Sequence, residues 1–241
     1  MSHKSLPKKI TPCPIHEAIL EIRYESARPR EAIFGLVYER FRTDFPGCEK
    51  QPVLQIPEQI RTADPNLRHL PEFRLESTGF LLLVGPRTFA LATSGEYCGW
   101  QAFSEKASEV LSRLSDLDLV QEVSRLGLRY INVFDLDIWE KSTLRIIRGE
   151  ARLDSRSSQV TAQIPALPYE HTLRVANNVE VKRQSVVVGE SIIDIDTAMT
   201  DQLAGFFDRR DELIGGAHEE EKKLFFSLLT DEYLASLNPE Y

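Results

Sequence analysis

The sequence has no hydrophobic run long enough to cross a membrane. Its longest uninterrupted apolar stretch, residues 80–84, is five residues long, whereas a transmembrane helix needs about 20. The first ten residues, MSHKSLPKKI, are polar and basic and lack the apolar centre of a signal peptide. We therefore expect a cytoplasmic protein that has no membrane partner.

Cysteine is scarce and widely spaced. The chain has three cysteines, Cys13, Cys48 and Cys98, and no pair of them has the CxxC spacing of a zinc site or a redox centre. We expect reduced, unpaired thiols.

The familiar motifs of catalysis and nucleotide binding are also missing. The sequence contains no GxxxxGK[ST] loop, no GxGxxG after a predicted strand, no GxSxG elbow and no HExxH. The five histidines are dispersed, although His16 and His171 could still meet in space. We predict no cofactor, no metal and no catalytic residues, which favours a protein that is not an enzyme.

The charge balance argues against nucleic acid as a partner. The formal net charge is −8, and a general nucleic-acid binder needs cations to neutralise phosphates. Residues 140–241 carry −6 of that charge. This acidity serves solubility or, in the alternative interpretation, forms a surface for a basic partner.

Hydrophobic periodicity predicts an α+β fold. In residues 1–139, helical spacing after Pro29 and over residues 99–114 alternates with strand patterns. Tight turns separate three close strands, which is typical of an antiparallel meander, and the four prolines of residues 51–71 predict a short strand and a loop. The expected order is β-α-β-β-β-β-α-β, with the meander strands at residues 72–77, 80–84 and 88–93.

Residues 140–241 repeat this organisation in outline. Six short strands are expected between residues 144 and 196, with a turn at Asn177-Asn178. Two helices should follow, at 201–213 and 217–237, separated by a break at Gly215-Gly216. The sequence thus predicts two mostly antiparallel sheet-plus-helix layers, with domains 1–139 and 140–241 and a C-terminal pair of helices.

Two sequence features suggest binding chemistry. Asp135-Leu136-Asp137 and Asp194-Ile195-Asp196 each place two carboxylates on one side of a strand, where they could hold Mg²⁺ or simply face solvent. In the stretch RLGLRYIN (125–132), Arg125 and Arg129 share a strand face and flank Gly127. They form a candidate fork for a carboxylate or phosphate, or an arginine pairs with a helix acid across the sheet. The candidate ligand-binding residues are Arg125, Arg129, Tyr130, Asn132, Asp194 and Asp196.

Three segments carry a resemblance to a known family. They are PIHEAILEIRYE near the start, RLGLRYIN, and AHEEEKKLFFSLLTDEY near the end. The chain resembles a sporadically distributed, uncharacterised family of bacterial and archaeal cytoplasmic proteins of about this length. The resemblance implies a fold and a patchy distribution among genomes, and it supplies no established catalytic residues. Patchy distribution is associated with defence or toxin-control gene islands, a link of association only.

Two functional interpretations follow. The first is a non-enzymatic binding or regulatory protein that acts through a protein partner. A homo-oligomer is also compatible with this interpretation. The alternative is an enzyme or a small-ligand sensor whose site lies at the junction of the two predicted domains.

Overall fold

A computed structural model describes residues 5–152, 157–183 and 186–241. Its strands form a large antiparallel sheet accompanied, in these residues, by six α-helices, which confirms the α+β class. The elements are β1 (Ile15–Glu25), α1 (Arg30–Phe41), β2 (Gly47–Lys50), a 3-10 turn (Pro52–Gln55), α2 (Glu58–Ala63), β3 (Phe73–Ser77), β4 (Phe80–Gly85), β5 (Thr88–Thr93), α3 (Trp100–Ser115), β6 (Glu122–Phe134), α4 (Ile138–Lys141), β7 (Ile147–Arg148), β8 (Ala151–Arg152), β9 (Gln159–Ala166), β10 (Tyr169–Arg183), β11 (Val186–Met199), α5 (Phe206–Leu228) and α6 (Asp231–Ser236).

The chain divides into two units that interleave along the sequence. Unit 1 comprises residues 1–16, 129–197 and 217–241, and unit 2 comprises residues 17–128 and 198–216. The domains predicted from the sequence, 1–139 and 140–241, stay a prediction. In the described part of the chain, no helix has the length and apolar character that a membrane span requires.

Unit 2 contains the predicted meander. Its strands lie in the order β2-β3-β4-β5-β1, followed by the first half of β6, and β3, β4 and β5 pair antiparallel through the two-residue turns Thr78-Gly79 and Pro86-Arg87. Helix α1 buries Ile33, Val37 and Phe41 at four-residue spacing, as the periodicity predicts. The predicted loop at residues 51–71 differs, since it contains the 3-10 turn and α2.

Unit 1 holds the remaining strands, in the order of the second half of β6, then β11, β10 and β9. Strand β10 is continuous through the predicted turn. Asn178 adopts a left-handed φ of +53° there, which asparagine tolerates within an irregular strand. The core of unit 1 includes Phe134, Trp139, Val175 and Phe225, all at most 6% exposed.

The C-terminal helices also differ from expectation. Helix α5 runs without interruption from Phe206 to Leu228, so the predicted break at Gly215-Gly216 is absent. Its buried residues continue on both sides of the glycines, with Ile214 2% and Ala217 0% exposed. Burial of this stripe outweighs the low helix propensity of glycine.

Candidate functional site

The candidate residues of β6 fall on opposite faces of the strand, as their alternation predicts. Arg125, Arg129 and Ile131 are half-buried, whereas Tyr130 and Asn132 are each 1% exposed. A strand turns successive side chains to opposite sides. Tyr130 and Asn132 therefore do not share a surface with Arg129.

Each arginine of the predicted fork has its own carboxylate. Within unit 2, Arg125 Nη1 donates to Glu21 Oε1 at 2.9 Å. A Cβ on Gly127 would lie 2.2 Å from Arg125 Nη1, so the glycine provides the space in which the guanidinium lies. Within unit 1, Arg129 donates through Nε and Nη2 to the two oxygens of Asp194, both at 2.7 Å. The sequence offered an acid on a helix as the alternative partner, whereas Glu21 lies on strand β1 and Asp194 on strand β11.

Asp194 is the centre of a small ion cluster in unit 1. Its side chain is 10% exposed, and Arg174 Nη1 lies 3.7 Å from Oδ2 in addition to the Arg129 pair. Two guanidiniums share this carboxylate, and the Arg174 side chain remains 52% exposed. Asp196 lies two residues further along β11 and is half-buried.

In the other aspartate pair, Asp135 and Asp137, one member has a structural role. Asp137 caps α4, since its Oδ1 accepts the Trp139 N–H at 3.0 Å and its Oδ2 accepts from Asn177 Nδ2 at 3.0 Å. Asp135 is exposed. Among the described side chains, no group of three or more His, Cys, Asp or Glu is arranged to hold a metal ion.

The buried face of the sheet in unit 1 carries polar groups. Tyr130 Oη lies 3.2 Å from His218 Nδ1, and His171 Nδ1 lies 2.9 Å from Thr197 Oγ1. Asn132 Nδ2 donates to the Ile193 carbonyl oxygen at 3.2 Å. These contacts satisfy polar groups that would otherwise be costly to bury.

Burial shifts the proton equilibria of two α5 residues. It lowers the pKa of His218 to about 4, with a smaller contribution from Lys222, and it raises the pKa of Glu221 to about 8. Desolvation disfavours the charged form in both cases. Among the described residues, no side chain forms a hydrogen bond or ion pair with Glu221, which is 5% exposed. The sequence did not single out this acid, because its burial depends on where α5 packs.

The edge strand of unit 1 is the second feature that sequence patterns did not identify. Strand β9 pairs with β10 through eight residue pairs, from Gln159 with Ala176 to Ala166 with Tyr169. It is the last strand in the order, so its other side is an edge among the described strands. The sequence predicted a strand here but could not predict its position in the sheet.

A comparison of the chain with models of protein families found no match, and a comparison with curated proteins found no similar protein. The family resemblance of the three sequence segments therefore stays a prediction.

Proposed function

We propose that the chain is a non-enzymatic binding or regulatory protein that acts through a protein partner. The observation that carries the proposal is the β9 edge in unit 1. An edge strand presents N–H and C=O groups along one side, to which an extended segment of another protein can add as a further strand.

The composition of β9 supports its availability for pairing. Its sequence, QVTAQIPA, contains no charged residue, although charged side chains are a common means by which edge strands avoid association. Pro165, near the end of the strand, is its one residue that lacks an N–H donor. The opposite edge of the sheet order, β2, is shorter and carries Glu49 and Lys50. The uncharged edge is thus the one that suits strand addition.

The side chains of β9 define what the partner strand should look like. Val160 and Ile164 pack against the core of unit 1 but remain partly exposed, whereas Gln159, Thr161 and Gln163 are exposed on the other face. An added strand with apolar residues at alternate positions would extend the core over Val160 and Ile164. Leu167, 92% exposed in the turn after β9, offers a further apolar contact.

The test combines partner capture with a change at the edge. We expect the tagged protein, purified from its host and examined by mass spectrometry, to retain a stoichiometric protein partner. The double variant Thr161→Lys/Gln163→Lys should lose this partner, because lysines on an edge strand oppose pairing. The control Ser94→Lys/Gln101→Lys adds the same charge at exposed positions of unit 2 and should retain it.

Hydrogen exchange locates the contact. Adding the purified partner should slow exchange of the amides of residues 159–166, since alternate N–H groups of an edge strand gain acceptors. Absence of a stoichiometric partner, or capture that survives the β9 lysines, would contradict the proposal. A dimer of this chain that the same lysines dissociate would show that a second copy occupies the edge, and would also overturn it.

The arrangement of the layers and the location of the protein in the cell are also proposals. We propose two sheet-plus-helix layers that end in the C-terminal helices α5 and α6, and a cytoplasmic location, which the free thiols of Cys13, Cys48 and Cys98 suit. The sporadic distribution of the family that the sequence resembles favours a role in a defence or toxin-control gene module.

The alternative proposal is an enzyme or a small-ligand sensor. It is favoured by Asp194, which holds Arg129 tightly and Arg174 loosely, so that the exposed Arg174 guanidinium is available to an anionic ligand. Native mass spectrometry of the purified protein would then show a retained small molecule that Arg174→Ala releases. A protein free of small molecules that binds its partner through β9 would rule this alternative out.

A further inference from the structure

An open groove of about 970 Å³ lies within unit 2. It is bounded by Ser115 at the end of α3, by residues 120–124 at the start of β6, and by residues 200–208, which lead from the end of β11 into the first turn of α5. The loop contains two left-handed positions, Gln202 with φ of +59° and Gly205 with φ of +65°. The groove has the size of a binding site for a short peptide or a comparable ligand.

The base of the groove is apolar. Val123, Leu203 and Phe206 line it and are 7%, 6% and 3% exposed. Phe207 is half-buried, and its ring lies 5.3 Å from that of Phe206 in an edge-on arrangement. Such a surface suits the aliphatic part of a long side chain and offers an aromatic face to a cation.

The rim of the groove is acidic. Glu122, Asp201 and Asp208 line it and are exposed, and none of the lining residues is a lysine, arginine or histidine. Within the described residues, no cationic side chain forms an ion pair with these three carboxylates. The nearby Arg209 donates to Glu212 and to the carbonyl oxygen of Gln202. The positive end of α5 offsets only part of this charge, about half a unit.

We propose that this groove binds an extended basic segment of a protein partner. The carboxylates of the rim would pair with its Lys or Arg head groups, while the stems of these side chains lie on Phe207 and Val120. The inference goes beyond strand addition at β9, since it concerns a different surface with a different chemistry. It also specifies a location for the basic partner that the overall acidity suggested.

The test measures binding of a defined probe to the full chain. The probe is a fluorescein-labelled peptide of alternating lysine and alanine, about ten residues long, followed by fluorescence anisotropy. We expect saturable binding that weakens as salt rises from about 50 to 200 mM. The triple variant Glu122→Gln/Asp201→Asn/Asp208→Asn should weaken it by about tenfold, since each exposed ion pair contributes modestly.

A matched control separates the groove from general charge. The variant Glu31→Gln/Glu96→Gln/Glu105→Gln removes the same charge from exposed positions of unit 2 outside the groove, and it should keep the wild-type affinity. Ala204→Arg, at an exposed lining position, should abolish binding by filling the groove with a cation. Thermal melting of each variant verifies that it is folded.

Three outcomes would overturn the inference. They are absence of saturable binding by the wild type, an equal loss of affinity in the control triple variant, and equally tight binding of spermine, which would indicate a site for small polycations. The double lysine variant of β9 should leave the peptide affinity unchanged. The experiments can therefore contradict strand addition at β9 and peptide binding at the groove independently of each other.

Discussion

Arg129 and Asp194 lie 65 positions apart in the chain and form a two-point ion pair within unit 1. The alternation of β6 predicts the strand face on which Arg129 lies. It cannot predict the partner, because strand neighbours are set by the order of the sheet. The same limit applies to Arg125, whose carboxylate, Glu21, is 104 positions away. The local sequence pattern therefore identified the arginines of the motif, whereas the pairing of distant strands determines which carboxylate each arginine contacts.

The first prediction concerns this ion pair. Arg129→Ala leaves the Asp194 carboxylate, 10% exposed, with Arg174 at 3.7 Å as its one ion-pair partner among the described residues, and should lower the free energy of unfolding by about 2 kcal/mol. Arg174→Ala should cost less than about 1 kcal/mol, since that guanidinium is half exposed and distant. Urea denaturation measures both. Equal losses in the two variants would show that the two-point geometry contributes nothing.

At the scale of elements, hydrophobic periodicity predicts the amphipathic helices and strands. The sequence-based prediction fails where tertiary packing keeps an element continuous through residues that usually interrupt it. Residues 99–114 predicted α3, and the structure buries Phe103, Ala107 and Leu114 on that helix. Asn177-Asn178 and Gly215-Gly216 predicted interruptions that β10 and α5 do not have. Asparagine accepts a left-handed φ within a strand, and a glycine pair persists in a helix whose neighbouring residues are buried.

The second prediction uses the uninterrupted α5. A Cβ added at Gly215 meets nothing within 4 Å, so Gly215→Ala should raise the free energy of unfolding by about 0.5–1 kcal/mol through helix propensity and reduced freedom of the unfolded chain. Thermal and urea denaturation measure the gain. A loss of stability would indicate that the helix does not continue through this position.

Gly85→Ala is the opposite case and the third prediction. At Gly85 a Cβ would lie 2.9 Å from the Leu70 carbonyl oxygen and 2.9 Å from Thr88 Cγ2. The backbone must therefore move, and we expect a destabilisation of about 1–3 kcal/mol. Thermal and urea denaturation measure this loss. An unchanged denaturation midpoint would show that the backbone around residue 85 accommodates the methyl group without loss of stability.

At the scale of the whole molecule, the sequence predicted the α+β class but not the interleaving of the two units. Unit 1 draws on residues 1–16, 129–197 and 217–241, and a division of this kind depends on how distant segments pack. The burial of polar residues on α5 became evident only from that packing. His218 and Glu221 lie three positions apart on this helix, within the segment AHEEEKKLFFSLLTDEY, and the resemblance of that segment to a family assigns neither of them a role.

Two buried groups, Glu221 and His171, and the half-buried His218 make the stability of the protein depend on pH, and the direction of the dependence follows from their shifts. The pKa of Glu221 is raised from 4.5 to about 8, so the unfolded state releases its proton first and stability falls as pH rises towards 8. The pKa values of His218 and His171 are lowered from 6.5, mainly by burial, so stability falls as pH drops below 6.5. Between about pH 4.5 and 6.5 the Glu221 and histidine effects oppose one another.

We therefore expect the free energy of unfolding to be greatest near pH 6 and to fall by roughly 1 kcal/mol per pH unit between pH 6.5 and 8. Urea denaturation at half-unit pH intervals measures this slope. Glu221→Gln should flatten it, because the amide has the shape of the protonated acid and does not titrate, whereas Glu219→Gln, an exposed change on the same helix, should leave it intact. A slope that survives Glu221→Gln would show that this acid does not cause the pH dependence, and would contradict its retention of a proton in the folded protein at neutral pH.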